Sequence, residues 1–161
     1  MLDKTGIALP EQVLSRFPKT EFLKKAKAII ECYQDIPCNP CQTSCPFGAI
    51  HIGEDINQQP KLIAIKCTGC GICVTSCPGL AIMLAKTEET KAVFKIPYEL
   101  LPVPKKNDVW YAVNRAGEII GDALIDSAVL IAKQDKTYLV TVKTDLNLLH
   151  EFVTIRSKDH A

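Results

Sequence analysis

A chain of 161 residues, 47% hydrophobic and 23% charged, suits one ordinary soluble domain or two small ones. No apolar run approaches the ~18 residues of a membrane span, and Met1-Leu-Asp-Lys-Thr-Gly6 lacks the basic-then-apolar pattern of an export signal, so a cytoplasmic location is expected. A formal charge of +1, with no basic run interleaved with aromatics, argues against a nucleic-acid partner.

Residues 1–26 form an N-terminal arm. Pro10-Glu-Gln-Val-Leu-Ser-Arg-Phe17 predicts a short amphipathic helix with Pro10 in its first turn, and Thr20-Glu-Phe-Leu-Lys-Lys25 a further capped turn. This arm is read as packing or docking structure and is assigned no chemistry.

All eight cysteines lie between positions 32 and 77, within a segment running from 27 to 86. The second block reads Cys67-Thr-Gly-Cys70-Gly-Ile-Cys73-Val-Thr-Ser-Cys77-Pro78. The first reads Cys38-Asn-Pro-Cys41-Gln-Thr-Ser-Cys45-Pro46, with a further cysteine upstream at Cys32. A shift of 32 positions lays Cys38, Cys41, Cys45 and Pro46 on Cys70, Cys73, Cys77 and Pro78, and Ala49-Ile50-His51-Ile52 on Ala81-Ile82-Met83-Leu84. The upstream match of Ala28-Ile29-Ile30-Glu31-Cys32 to Ile63-Ala64-Ile65-Lys66-Cys67 requires a shift of 35, which places a three-residue insertion within Tyr33–Pro37. A duplicated unit of strand, cysteine loop, turn and strand is expected, two copies packing into one core.

Beyond it, Thr87-Glu-Glu-Thr-Lys91 is a polar break before an extended stretch from Ala92 to Ile96. Residues 87–108, with Pro97, Pro102 and Pro104, read as a turn-rich linker and first strand. From 109 to 161 strands dominate: Val109 to Asn114, Glu118 to Lys133, Thr137 to Lys143 and Phe152 to Arg156. A turn is expected at Arg115-Ala-Gly117 and a short helix from Asp145 to His150. This pattern predicts a small all-β, barrel-like docking module, with Trp110 and Tyr111 in its core and rim.

The second block has the C-x2-C-x2-C-x3-C-P spacing of bacterial ferredoxins, in which three cysteines of a run hold one [4Fe-4S] cluster and the fourth serves the other. Zinc would use the paired C-x2-C knuckles but leave the third cysteine and the prolines without a role. Disulfides fit neither the spacing nor the absence of an export signal. The fold expected is therefore α+β: a pseudo-twofold ferredoxin-like domain with two [4Fe-4S] clusters, followed by the β module. Interleaving assigns Cys32, Cys38, Cys41 and Cys77 to cluster 1, and Cys67, Cys70, Cys73 and Cys45 to cluster 2. By simple spacing the leading position of the first block is Asp35. Thiolate suits this soft chemistry better than carboxylate, which favours Cys32 with Asp35 as the alternative.

Eight thiolates and two oxidised cubane cores bring the net charge to about −3. Ile36, Phe47, Ile72 and Ile82 are candidate apolar cover, and Tyr33 a candidate shield, for the clusters. His51, His150 and His160 are read as surface or structural residues. No G-x-G-x-x-G follows a strand and no catalytic motif is present, so the chain is not expected to be an enzyme by itself.

Glu31-Cys-Tyr-Gln-Asp-Ile-Pro-Cys-Asn-Pro-Cys-Gln-Thr-Ser-Cys-Pro-Phe-Gly-Ala-Ile50, Lys66-Cys-Thr-Gly-Cys-Gly-Ile-Cys73, Cys77-Pro-Gly-Leu-Ala-Ile82 and Pro97-Tyr-Glu-Leu-Leu-Pro102 together carry a narrower resemblance. The chain resembles the small iron–sulfur proteins encoded with flavin-dependent amino-acid or imino-acid dehydrogenases of anaerobic bacteria, proline and hydroxyproline dehydrogenase-like complexes among them. That group shares the departure at Asp35. The resemblance implies a hetero-oligomeric electron-transfer subunit that relays single electrons between FAD- or FMN-containing partner subunits. A stand-alone ferredoxin is the alternative, and a purely structural cluster protein a further one.

Overall fold

The computed structural model describes residues 2–131 and 136–160. The predicted first helix is α1, Pro10–Arg16, entered through Pro10, with the Leu9 backbone N–H donating to Gln12 Oε1 at 2.9 Å. A 3-10 turn over Thr20–Lys24 buries Leu23 and leads into β1, Lys27–Ile30. Then come α2 (Pro40–Thr43), β2 (Ile50–His51), β3 (Lys61–Leu62), α3 (Ile72–Ser76) and β4 (Ile82–Glu88). The chain continues through β5 (Lys91–Tyr98), β6 (Val109–Asn114), β7 (Ile119–Leu130), β8 (Tyr138–Asp145) and β9 (Phe152–Arg156).

The 32-residue repeat is visible as structure. It carries α2 onto α3, and β2 onto the first residues of β4. Strand β1 pairs antiparallel with β4, and β2 with β3. The upstream half of the repeat departs from expectation. Ile63–Lys66 is no strand: β3 ends at Leu62, Lys66 N–H closes a turn on the Ile63 carbonyl at 3.0 Å, and Ile65 is 78% exposed. The turn delivers Cys67 to its loop without the insertion that precedes Cys38.

The expected division at 86/87 and 108/109 requires correction. Residue 86 lies inside β4, and one seven-stranded antiparallel sheet runs β1-β4-β5-β8-β7-β6-β9. Cysteine-bearing and C-terminal segments therefore share a sheet rather than meeting through a linker. The polar break at 87–91 is the tight hairpin between β4 and β5. Pro97 sits within β5, opposite Leu139 on β8. It is tolerated there because the β4 pairing has ended at Lys95, so its missing N–H breaks no rung on that side. Phe94 on β5 stacks on Phe152 on β9, with ring centroids 4.4 Å apart, although three strands separate β5 from β9 in the sheet. The sheet must curl over its own face to bring them together.

Its two faces do different work at the β1–β4 edge. Ile29, Met83 and Ala85 point into the main core with Phe94, Trp110, Val142 and Phe152. Ala28, Ile30, Ile82 and Leu84 point the other way, into a second core containing Cys41 and Cys73. Side chains alternate along a strand, so burial on both faces explains why 28–30 and 81–85 read as unbroken apolar runs. The predicted helix over Asp145–His150 reduces to a 3-10 turn, Leu146–Leu148. Trp110 is buried with its ring edge-on to Tyr98, while Tyr111 is half-buried beneath the Lys158 ammonium. The end of the strand predicted to Lys133 lies outside the described residues.

Candidate metal centres

The cysteines surround two separate cavities beside the second core. One is lined by Cys32, Cys38, Cys41 and Cys77, the other by Cys45, Cys67, Cys70 and Cys73. Each quartet takes three thiols from one block and the last thiol of the other. Helix α2 carries Cys41 and α3 carries Cys73; both thiols are buried, whereas Cys70 reaches the surface. Among the described residues no charged side chain lines either cavity. Among the described residues no three His, Cys, Asp or Glu side chains are gathered to hold a single metal ion. Thiols arranged around an open volume suit a multinuclear cluster better than one zinc ion.

The loops that carry the cysteines depend on backbone freedom at two points. Gly69 has φ +73°, and a Cβ there would stand 2.5 Å from the Ala26 carbonyl oxygen. Gly71, the N-cap of α3, has φ +84°, with Leu139 Cδ2 3.1 Å from the position of a Cβ. Leu139 on β8 thus presses directly on the loop of the second quartet.

Backbone amides point at sulfur in a repeated pattern. Ala49 N–H donates to Cys45 Sγ at 3.3 Å and Ala81 N–H to Cys77 Sγ at 3.4 Å, positions related by the 32-residue shift. Ala28 N–H donates to Cys67 Sγ at 3.5 Å. Such bonds stabilise thiolate and set the potential of what it binds. Without a cluster three of the thiols, Cys32, Cys41 and Cys73, resist ionisation. Burial, then the charge of Cys67, pushes Cys73 up to about 12. Burial, then Cys77, pushes Cys41 up to about 11, and the same two causes raise Cys32. Four thiolates brought together in an apolar cage would repel one another, so the cage is a site for a cationic inorganic core that offsets their charge. The donor set fits the [4Fe-4S] group that the spacing predicts.

Asp35 is not among the residues of either cavity. Its Oδ1 accepts from Gln59 Nε2 at 3.0 Å, and it borders a polar hollow with Asp55, Asn57 and Lys61. The inserted loop is held by residues the sequence left without a role. Arg16, on α1, donates to the Cys32 carbonyl at 3.2 Å and the Pro60 carbonyl at 3.0 Å, and Gln59 Nε2 reaches the Tyr33 carbonyl at 2.9 Å. Tyr33 lines neither of the two cysteine cavities. Its ring lies 5.1 Å under the Arg16 guanidinium, and burial, then Glu31, raises its phenol to about 12. Of the predicted apolar cover, Ile36 and Ile82 line the first cavity and Phe47 the second. Ile72 is 41% exposed and lines neither; Leu84 takes that part in the second cavity.

His51 is exposed at the end of β2. His150 packs edge-on against Phe17 at 4.5 Å, and burial lowers its pKa. His160 lies in the last 3-10 turn. Among the described residues no helix is long and apolar enough to cross a membrane.

Comparison with known proteins agrees with this chemistry. A 4Fe-4S binding domain, Fer4, matches residues 60–83, from β3 through the second cysteine block into β4. A component of the Na(+)-translocating ferredoxin:NAD(+) oxidoreductase complex of Acetobacterium woodii is 46% identical over 55 residues, 34% of this chain and 16% of that protein. The ferredoxin-type protein NapF of Escherichia coli is 42% identical over 52 residues, 31% of this chain and 32% of its own length. The chain thus spans less than a third of these two relatives. Pyruvate synthase subunit PorD of Methanocaldococcus jannaschii is 34% identical over 71 residues, which cover 44% of this chain and 80% of PorD. No solved structure matches the chain significantly. The cofactors are [4Fe-4S] clusters. The chain belongs to the family of ferredoxin-type 4Fe-4S subunits represented by PorD.

Proposed function

We propose that this chain is a relay subunit, not an enzyme by itself, holding one cluster on Cys32, Cys38, Cys41 and Cys77 and the other on Cys67, Cys70, Cys73 and Cys45. The observation that carries the reading is the composition of the two cavities, each with three thiols of one block and one of the other. A bound [4Fe-4S] cluster supplies reversible one-electron storage. The protein's part is to fix the thiolates, exclude water with apolar side chains and aim amides at sulfur. Cys70 and its exposed neighbour Ile72 leave the second site at the surface, where a partner's redox centre can approach.

The partners proposed are FAD- or FMN-containing subunits of an amino-acid or imino-acid dehydrogenase. One flavin would take a hydride from the substrate and pass its electrons singly through this chain to a second acceptor. Support for that partner is the resemblance carried by residues 31–50, 66–73, 77–82 and 97–102. The relatives named above support an oxidoreductase setting in general.

Substituting Cys32→Ser or Cys77→Ala should halve the iron content and abolish the same EPR signal, and Cys45→Ala should abolish the other. Retention of both signals in Cys32→Ser would exclude Cys32 as a ligand. Anaerobic pull-down of the native protein with flavin analysis tests the partner. Co-purification with flavoprotein chains, and reduction of the clusters on adding the amino acid, are the expected results. A monomer recovered without flavin indicates a stand-alone carrier.

A further inference from the structure

Lys27 is the one charged side chain among the buried described residues, at 7% exposure. It stands on β1, at the edge of the sheet, opposite Ala85 of β4. Its ammonium donates to the Cys67 carbonyl at 2.5 Å, and the next amide, Ala28 N–H, donates to Cys67 Sγ. Two consecutive residues of β1 therefore grip both acceptors of one cysteine. Among the described residues no carboxylate pairs with Lys27. A buried ammonium is strongly unfavourable without a counter-charge. The quartet to which Cys67 belongs is the negative group that the fold builds beside it.

We propose that Lys27 is a positioning residue that supplies a fixed positive charge to the site of Cys45, Cys67, Cys70 and Cys73, selectively favouring reduction there. The inference rests on the cluster assignment above. Four thiolates around an oxidised cubane carry a net negative charge, and the electron added on reduction increases it. A nearby cation held out of water lowers the free energy of the reduced form more than that of the oxidised form. The first site has a weaker counterpart. Arg16 touches the Cys32 carbonyl, but it also bonds Pro60 and Gln59 and is only partly buried, so solvent screens more of its charge.

The test uses the full chain, purified anaerobically with its clusters, as wild type, Lys27→Gln and Lys27→Arg. Glutamine keeps a donor for the Cys67 carbonyl and removes the charge; arginine keeps both. Redox titration followed by EPR reads the two clusters separately. Lys27→Gln should lower the reduction equilibrium constant of one cluster by about tenfold, about 59 mV for one electron. The other cluster, and both clusters of Lys27→Arg, should stay close to wild type. Crossing with Cys32→Ser identifies the affected cluster as the one that variant retains. Unchanged potentials in Lys27→Gln, or equal shifts of both clusters, overturn the proposal. If Lys27→Gln fails to assemble its clusters, Lys27→Arg decides: a wild-type potential supports the charge role and a lowered one overturns it. Failure of the ligand assignment is seen separately, as retention of both EPR signals in Cys32→Ser.

Discussion

Gly69 and Gly71 flank the exposed Cys70, and each meets a different neighbour: the Ala26 backbone before β1, and the Leu139 side chain on β8. The tighter is Gly69, where the obstacle is a carbonyl oxygen that cannot rotate away. Gly69→Ala should therefore destabilise the fold by about 2 kcal/mol or more, combining left-handed strain with the displacement of Ala26. Thermal unfolding and iron analysis check it: a lower Tm is expected, with loss of iron from the second site. The repeat also places a strained residue where its partner has none. Gly48 has φ +57°, and its equivalent 32 positions on is Leu80 at φ +51°. Both follow a Cys-Pro pair by two residues, where the chain turns back toward a strand. The Cys-Pro pattern was readable at both sites because the thiol positions around a cluster dictate it. The left-handed turn was not, because a leucine gives no local sign of it.

Strands β1 and β4 join the cluster side of the molecule to the rest, and one ion pair reinforces that join. Arg115, in the turn between β6 and β7, makes two hydrogen bonds to the Glu31 carboxylate and another to the His150 carbonyl at 2.7 Å. Glu31 immediately precedes Cys32, and the side chains of the pair are only 13% and 15% exposed. Removing one partner from a buried pair leaves the other charge uncompensated, at about 3–5 kcal/mol when solvent is fully excluded. Some solvent reaches this pair, so Arg115→Gln should cost about 2 kcal/mol. A double-mutant cycle with Glu31→Gln, read by denaturant unfolding, should give a loss smaller than the sum of the single losses. The residues are 84 positions apart, so no window of sequence could show their pairing. The same holds for Arg16, whose helix is legible from Pro10 and its apolar spacing but whose contact with Cys32 depends on how the arm folds back. By contrast β6 and β9 match their predicted bounds, since a polar turn and a period of two are local signals.

One sheet and one main core extend from β1 to β9, so the molecule should unfold as one cooperative unit. Removal of residues 109–161 would strip β5 of its β8 partner and expose Phe94, Ile96 and Met83. Such a truncation should lose both clusters and its ordered strands, as judged by iron content and far-UV circular dichroism. A cluster domain that folds independently would keep both. The difference from the modular expectation has a plain cause. A cut at 86/87 follows polar residues and prolines along the chain, whereas strand pairing is decided by partners far apart: Ala28 with Leu84, and Phe94 with Val142. By itself the sequence determined the cysteine chemistry, since thiolate number and spacing around an iron–sulfur core are matters of covalent reach. Only the tertiary structure decided that Asp35 stands apart, that Lys27 lies buried against Cys67 and that β1 and β4 belong to the larger sheet. Those outcomes depend on contacts between distant segments, which form only when the whole chain packs.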